Sequence, residues 1–474
     1  MPSLCTYMGP TRREPRSIPR RSSVVGSLTM HIVDRNVIVV GGGVSGLCAA
    51  YYLRRAGAAV RVLETRRVGS GASSGNAGWI TPAQAGPLPE PGLVGYGLRS
   101  LFEPRAPLYF EPRQLVRMLP WLLGFARRCN EADHREGRLA LGTLGQPCLE
   151  LLERMAADGV DVELHRVPLL AAAIDTRQAH IFRSRLEPLS RLGFRIPSEV
   201  LGQEDLRSLE PTLTDAARAG FVIEQHSIVE PQALLAALTR RLKELEVEIG
   251  EGSEVRDADL DGPRIVALRT STGRYRCDQV VLAAGAWLGP LARVFRTRLP
   301  IQAGKGYSFE IRPRSMPRHA LLLLDPHVGC SPLGDRLRVA GTMEFSGLNT
   351  RLDRRRIQSI AQGASRLIDG WADPDEDTLW CGLRPIAPDG LPIIDRHPTI
   401  ANVFFAGAYS MLGMTLAAPA AEKLAQFVVT GHRPPELAPF RADRFRRVKT
   451  SMPTQPRPDT ARGADGWPGS RRGS

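Results

Sequence analysis

The chain has 474 residues, 43% apolar and 24% charged, which is enough sequence for about three globular domains. Its 46 glycines and 38 prolines stay below the ~25–30% that marks low complexity, and no apolar run approaches the ~18 residues of a membrane span. A fibre, a disordered chain and an integral membrane protein are excluded. The formal charge of +14 points to nucleic acid only until it is located: residues 1–30 hold five arginines against one acid, residues 440–474 nine basic residues against three acids, and the body keeps +4, an ordinary soluble surface.

Ordered structure is expected from Asn36. Asn36–Val40 (NVIVV) is a continuous β-branched run, the pattern of a strand buried on both faces. Val44–Gly57 has helical spacing and a glycine stop, and Ala59–Leu63 is a second short strand ending at Glu64. Gly69–Pro91 reads as loop, Leu115–Phe125 and Leu139–Ala157 as helices, and the stretch from Val162 to Ile223 as mixed. Pro231–Leu245 is a helix with proline at its first turn. Val247–Ile249, Ile265–Arg269 and Gln279–Ala283 are strand candidates; Tyr307–Ile311 and Leu337–Gly341 suggest a separate sheet. Asn402–Ala406 is the last core strand and Thr415–Val429 the last long helix.

Seven scattered cysteines without a Cys-x-x-Cys pair show no metal spacing and fit a reducing cytoplasm. The Arg-rich, acid-poor N-terminus has something of a transit peptide's composition, whereas Arg20-Arg21 precedes no uninterrupted apolar region. A translation start at Met30, directly before the first strand, reads at least as well.

The strongest motif is Gly41-Gly42-Gly43-Val44-Ser45-Gly46. Gly41 permits the tight turn after the strand, Gly43 lets backbone approach a pyrophosphate, and Gly46 lets the helix pack close to the sheet. The helix N–H groups at Val44 and Ser45 then point at the phosphates. Glu64, ending the next strand, can accept both hydroxyls of an adenosine ribose. This pattern does not separate FAD from NAD. The small, hydroxyl-rich loop Ser70–Gly78, with Ser74 and Asn76, can run beside a ribityl chain, although alone it reads as a surface loop.

With this loop in place, the chain resembles the D-amino-acid oxidase superfamily of FAD enzymes, and most of all its bacterial D-amino-acid dehydrogenases. The resemblance spans roughly residues 35–432. It rests on the two loops above, Val280–Gly289 (VVLAAGAWLG), Val339–Asn349 (VAGTMEFSGLN), and Gly382–Asp395 leading to Met411–Pro419. It implies α/β architecture: a discontinuous Rossmann-like FAD-binding domain (35–95, 200–300 and 380–435) interleaved with a mixed-sheet substrate domain (96–199 and 301–379). Disordered tails are expected at 1–34 and 440–474.

By the same resemblance, Val255 meets the adenine through its backbone and Gly285 packs beside FAD. Gly413, Met414 and Thr415 begin a helix beneath the flavin, whose dipole stabilises negative charge there. Arg384, in Gly-Leu-Arg-Pro, matches the arginine that holds the substrate α-carboxylate; a surface salt-bridge arginine is the plainer alternative. Tyr307 matches a residue lining the substrate side, and a core tyrosine fits equally well. Lys305 reads as structural. The family's usual Gly-His-Gly before Met-Leu-Gly is Ala408-Tyr409-Ser410 here, which leaves the substrate's identity open.

The implied reaction is oxidative deamination of a D-amino acid. Hydride passes from Cα to flavin N5, giving an imino acid that hydrolyses to a 2-oxo acid and ammonia. The alternatives are oxidation of a secondary amine such as D-hydroxyproline, sarcosine or glycine, and flavin-dependent amine oxidation on tRNA, which the charge distribution disfavours. A cofactor-binding protein without turnover is a further reading. The implied partners are a small amino acid and an electron acceptor, a quinone or electron-transfer chain rather than oxygen. No nucleic acid and at most peripheral membrane contact are expected, with a cytoplasmic location or one at the inner membrane face.

Overall fold

The computed structural model describes residues 35–100, 103 and 106–445. The expectations for 1–34 and for the end of the C-terminal tail lie outside the described residues.

Two sheets organise the chain. The first has six strands in the order Ile393–Arg396, Val403–Gly407, Gln279–Leu282, Asn36–Val40, Ala59–Leu63 and Glu248–Gly250. All neighbours are parallel except the first pair. Strand order reverses beside Asn36–Val40, because the chain returns through the Val44–Arg55 helix to one side and supplies Gln279–Leu282 on the other. A crevice at such a switch point is where open α/β sheets bind nucleotides. The Val44–Arg55 and Gly413–Thr430 helices share the apolar core on one face of this sheet.

The second sheet has nine strands. Its main path runs Trp380–Ile386, Gln302–Ile311, Arg336–Phe345, Val328–Leu333, Ala320–Leu323, Leu169–Ala173, Ala219–Ile223 and Leu201–Gly202, with Leu108–Phe110 alongside Arg336–Phe345. It is mixed: Leu169–Ala173 runs parallel to Ala320–Leu323 and Leu108–Phe110 parallel to Arg336–Phe345, and the remaining pairs are antiparallel. A small antiparallel sheet (Val255–Asp261, Arg264–Thr270, Arg274–Arg276) flanks the first.

The structure moves several expected boundaries. Leu201–Gly202 and Ala219–Ile223 belong to the large sheet, not to a nucleotide-binding segment starting at 200. Trp380–Ile386 is likewise an edge of the large sheet, so the crossing to the first sheet falls after Ile386. Leu139–Ala157 is two helices, Glu131–Gly145 and Cys148–Ala157, separated at Pro147, which has no N–H to continue the ladder. The loop at 69–91 contains a short strand, Trp79–Ile80, paired with Ser227–Ile228.

Residues 440–445 are structured. Phe440 is fully buried, the Ala442 N–H donates to Asp395 (2.9 Å), and Arg444 pairs with Asp389 (2.6 Å). Composition suggested a tail from 440 because the buried anchors are few and the surrounding residues basic.

Candidate active site

One cavity of about 1290 Å³ lies between the two sheets and is lined by both. Two helices begin on it, Val44–Arg55 and Gly413–Thr430. Neither N-terminus has a side-chain cap from its N-cap residue or an acid in its first turn. The N–H groups of a first helical turn have no partner within the helix. Two helix N-termini on one cavity, neither capped by its own N-cap residue, make a surface suited to electron-rich groups.

The glycine loop divides by task. Gly41 has φ +117, and a Cβ there would come within 2.5 Å of the Ala283 carbonyl oxygen. At Gly46 a Cβ would sit 1.9 Å from the Gly41 carbonyl oxygen, so this glycine serves helix–strand contact and does not line the cavity. Gly43 does line it, and its Cβ would meet only the Ser73 hydroxyl, at 3.1 Å. Val44 and Ser45 are also lining residues. The Val44 N–H donates to Ser73 Oγ (3.1 Å), and Ser45 Oγ donates to the Ala406 carbonyl (3.1 Å), tying the helix to the neighbouring strand.

Glu64 lies on the cavity wall with its carboxylate held by the Gly42 N–H (2.7 Å) and the Arg66 N–H (2.9 Å). Arg66 stacks on Trp287 (5.2 Å), and both line the same end as Val255 and Gly285. Asn76 lines the cavity and organises its loop by donating to the Ala72 and Ser73 carbonyls and accepting from the Gly78 N–H. Ser74 is not a lining residue; Ser73 occupies the position expected of it. Nothing in the Ser-Ser pair distinguishes the two before the loop is folded.

Gly413, Met414 and Thr415 also line the cavity, Gly413 beside Val44. Thr415 Oγ1 donates to the Trp79 carbonyl and accepts from the Thr81 N–H. Thr81 Oγ1 and Ser410 Oγ are buried on the cavity wall with no hydrogen-bond partner among the described residues. Buried polar groups are normally satisfied, so a polar ligand fits here. Glycine cradle, wall-lining acid, helix N-termini and orphaned hydroxyls fit FAD along the length of the cavity.

Arg384 stands where Trp380–Ile386 pairs with Gln302–Ile311. In the next pairing a β-bulge sets Thr342 and Met343 against the single residue Gly306. A Cβ on Gly306 would lie 2.2 Å from the guanidinium carbon, so only glycine leaves Arg384 its place. Arg384 Nη1 donates to the carbonyl of Thr342 (2.6 Å), which holds the unusual φ of +65. Among the described residues no carboxylate lies within ion-pair distance of Arg384. Burial brings its pKa down to about 10, leaving it charged at neutral pH.

Tyr307 lines the cavity with its ring, while its hydroxyl donates to Glu344 (2.6 Å) and burial raises its pKa. Glu344 also pairs with Lys305 (2.9 Å), so Lys305 has the structural place expected of it. Sequence reasoning missed Trp380, whose indole lies over Gly75 and Gly382 on the cavity wall. Its signal was the pair of glycines that make room for it.

Fold and site together define an FAD-dependent oxidoreductase. The chain belongs to the DAO family, FAD dependent oxidoreductase, whose model matches residues 36–427. A D-amino acid dehydrogenase of Sinorhizobium medicae is 31% identical over 404 residues, covering 83% of this chain and 95% of its own. One from Xylella fastidiosa is 29% identical, covering 88% and 97%. Among solved structures, glycine oxidase from Geobacillus kaustophilus superposes with a TM-score of 0.66 at 23% identity, covering 87% of this chain and 99% of its own. Iminodiacetate oxidase from Chelativorans sp. BNC1 gives 0.68 at 21%, covering 86% and 98%.

Proposed function

We propose that this enzyme oxidises a D-amino acid to its imino acid, which water then converts to a 2-oxo acid and ammonia. The observation that carries the reading is Arg384, a guanidinium on the cavity wall without a protein carboxylate to neutralise it. Similarity to D-amino acid dehydrogenases supports the substrate class.

FAD, when bound, supplies the two-electron acceptor. The protein's part is positioning. Thr342 fixes one nitrogen of Arg384, leaving the remaining N–H groups to grip an α-carboxylate through parallel bonds. With the carboxylate held, the amine and Cα hydrogen have one orientation in the cavity. The Gly413–Thr430 helix directs its N-terminal dipole at negative charge developing on that side. A substrate amine bound neutral requires no side chain to take a proton before Cα–H cleavage.

The proposed electron acceptor is a quinone or electron-transfer chain, reached at a membrane surface. Val94 and Leu98 on the Leu93–Ser100 helix are 41% and 59% exposed; Val116, Leu119 and Leu123 on the Pro112–Arg128 helix are 82%, 53% and 51% exposed. Val94, Leu98 and Leu123 also line the cavity. Pro112–Arg128 holds Arg113, Arg117, Arg127 and Arg128 and no acid, the composition of a helix that lies on anionic lipid. Among the described residues no helix is long and apolar enough to cross a membrane.

Anaerobic mixing with a panel of D- and L-amino acids and N-methyl amines tests the chemistry. Bleaching of the flavin by D-amino acids is expected; selective bleaching by secondary amines, or none, overturns the assignment. Flotation with anionic vesicles, lost when Leu98 and Leu119 are changed to Asp, tests the acceptor side. Recovery of the unaltered protein only in the lipid-free fraction refutes it.

A further inference from the structure

A second arginine on the cavity wall has no ion-pair partner among the described residues, and neither the family motifs nor the proposed chemistry uses it. Arg138, from the Glu131–Gly145 helix, is 4% exposed. Its Nη2 donates to His134 Nε2 (3.2 Å), and His134 is fixed as that acceptor because its Nδ1 bonds the Pro89 carbonyl (3.1 Å). Burial and Arg138 itself hold the His134 pKa down to about 4, so the ring stays neutral and cancels no charge. Among the described residues Nε and Nη1 of Arg138 have no hydrogen-bond partner.

The acid whose charge acts on Arg138 is Glu90, which is engaged with Arg185 at 2.5 Å. This corner of the cavity therefore holds two guanidiniums and one carboxylate, an excess of one positive charge. Gln84, also on the wall, has its Oε1 buried and unpartnered. Gly86 keeps the place open, since a Cβ there would come 2.6 Å from Arg138 Nη2. A buried, half-bonded guanidinium is costly where leucine would fill the same helix face. Arg138 bonds His134 and packs against Gly86, not the glycine loop, so the pyrophosphate of FAD does not account for it.

We infer that Arg138 is a second oxyanion-binding pole and that the preferred substrate is an amine carrying two carboxylates, one held by Arg384 and the other by Arg138. The inference rests on the carboxylate-anchoring role of Arg384 proposed above. Guanidinium forks at two places on one cavity wall select a ligand with an acidic group at each end, by the same bidentate geometry that suits either alone.

The test uses the flavin-loaded enzyme and unreactive ligands: straight-chain α,ω-dicarboxylates of four to eight carbons and monocarboxylates of matching length. Binding is read as the perturbation of the flavin absorbance spectrum. One dicarboxylate length should bind at least ~10-fold more tightly than its monocarboxylate, the usual scale of one charge-assisted contact, and that length reads the separation of the poles. In Arg138→Gln, assayed on preparations with full flavin content, the preference should collapse; Arg138→Lys, which keeps the charge without the fork, should fall between.

Equal binding of the two series by the unaltered enzyme overturns the inference without needing any variant. So does a dicarboxylate preference that survives Arg138→Gln. Two monocarboxylates bound per site, the second lost in Arg138→Gln, refute the two-ended substrate. Failure of the Arg384 reading looks different: Arg384→Ala then binds both series as the unaltered enzyme does.

Discussion

Two glycines three positions apart make opposite predictions, because their missing side chains face different neighbours. Gly43→Val adds bulk toward the cavity, where the protein offers only a serine hydroxyl. It should fold and purify colourless, while full flavin occupancy in that variant would remove the loop from the cofactor site. Gly46→Ala puts a methyl into the Gly41 carbonyl and should cost about 3 kcal/mol or more, seen as a lower Tm before any effect on binding. Ala408 (φ +60) and Ser410 (φ +53) hold left-handed backbone that L-residues adopt at a cost of ~1–2 kcal/mol. This explains why the family pattern has glycine at both, and Ala408→Gly should stabilise by up to about 1 kcal/mol after the extra entropy of glycine is subtracted. An unchanged or lower Tm would show that strain is relieved elsewhere. Arg384→Ala should lose ~2–5 kcal/mol of transition-state binding, about 30- to several-thousand-fold in kcat/KM, while keeping FAD. For an amine lacking the carboxylate that loss should largely vanish.

At the scale of elements, the bulge in Arg336–Phe345 decides where the Arg384 guanidinium points. An unbroken ladder would consume the Thr342 carbonyl in a strand bond; the extra residue frees it for Arg384. The Glu131–Gly145 helix carries a pH dependence. His134 titrates near 4 in the folded chain and near 6.5 unfolded. Its folded pKa is depressed, so its contribution is complete above pH 6.5 and is lost as pH falls toward 4. That loss is on the order of 3 kcal/mol. His134→Gln should flatten the Tm profile over that window, and an unchanged slope would assign the acid sensitivity to other groups.

Across the whole molecule, the segment at 435–445 closes the first sheet. Leu437 and Phe440 are fully buried, and Asp395 accepts from both Arg433 and the Ala442 N–H. Ending the chain before Pro435 should therefore cost on the order of 5 kcal/mol, measured by denaturant unfolding. Wild-type stability after that truncation would mean the segment packs without contributing. The first βαβ unit, the glycine loop, Glu64 and the last helix could be read from the sequence, because each depends on neighbours within about 30 residues and on a buried-strand or helical period. The GLRP motif marked Arg384 as a candidate by likeness alone. Its lack of an acid, the glycine that houses it and the bulge that fixes it come from three strands brought together from 302, 336 and 380. The choice of Ser73 over Ser74, the indole of Trp380 and the half-bonded Arg138 were likewise set by contacts between distant segments. Local periodicity determined the elements and the dinucleotide end. Which polar groups remained unsatisfied, and so what the cavity can hold, was decided only when the two sheets closed on each other.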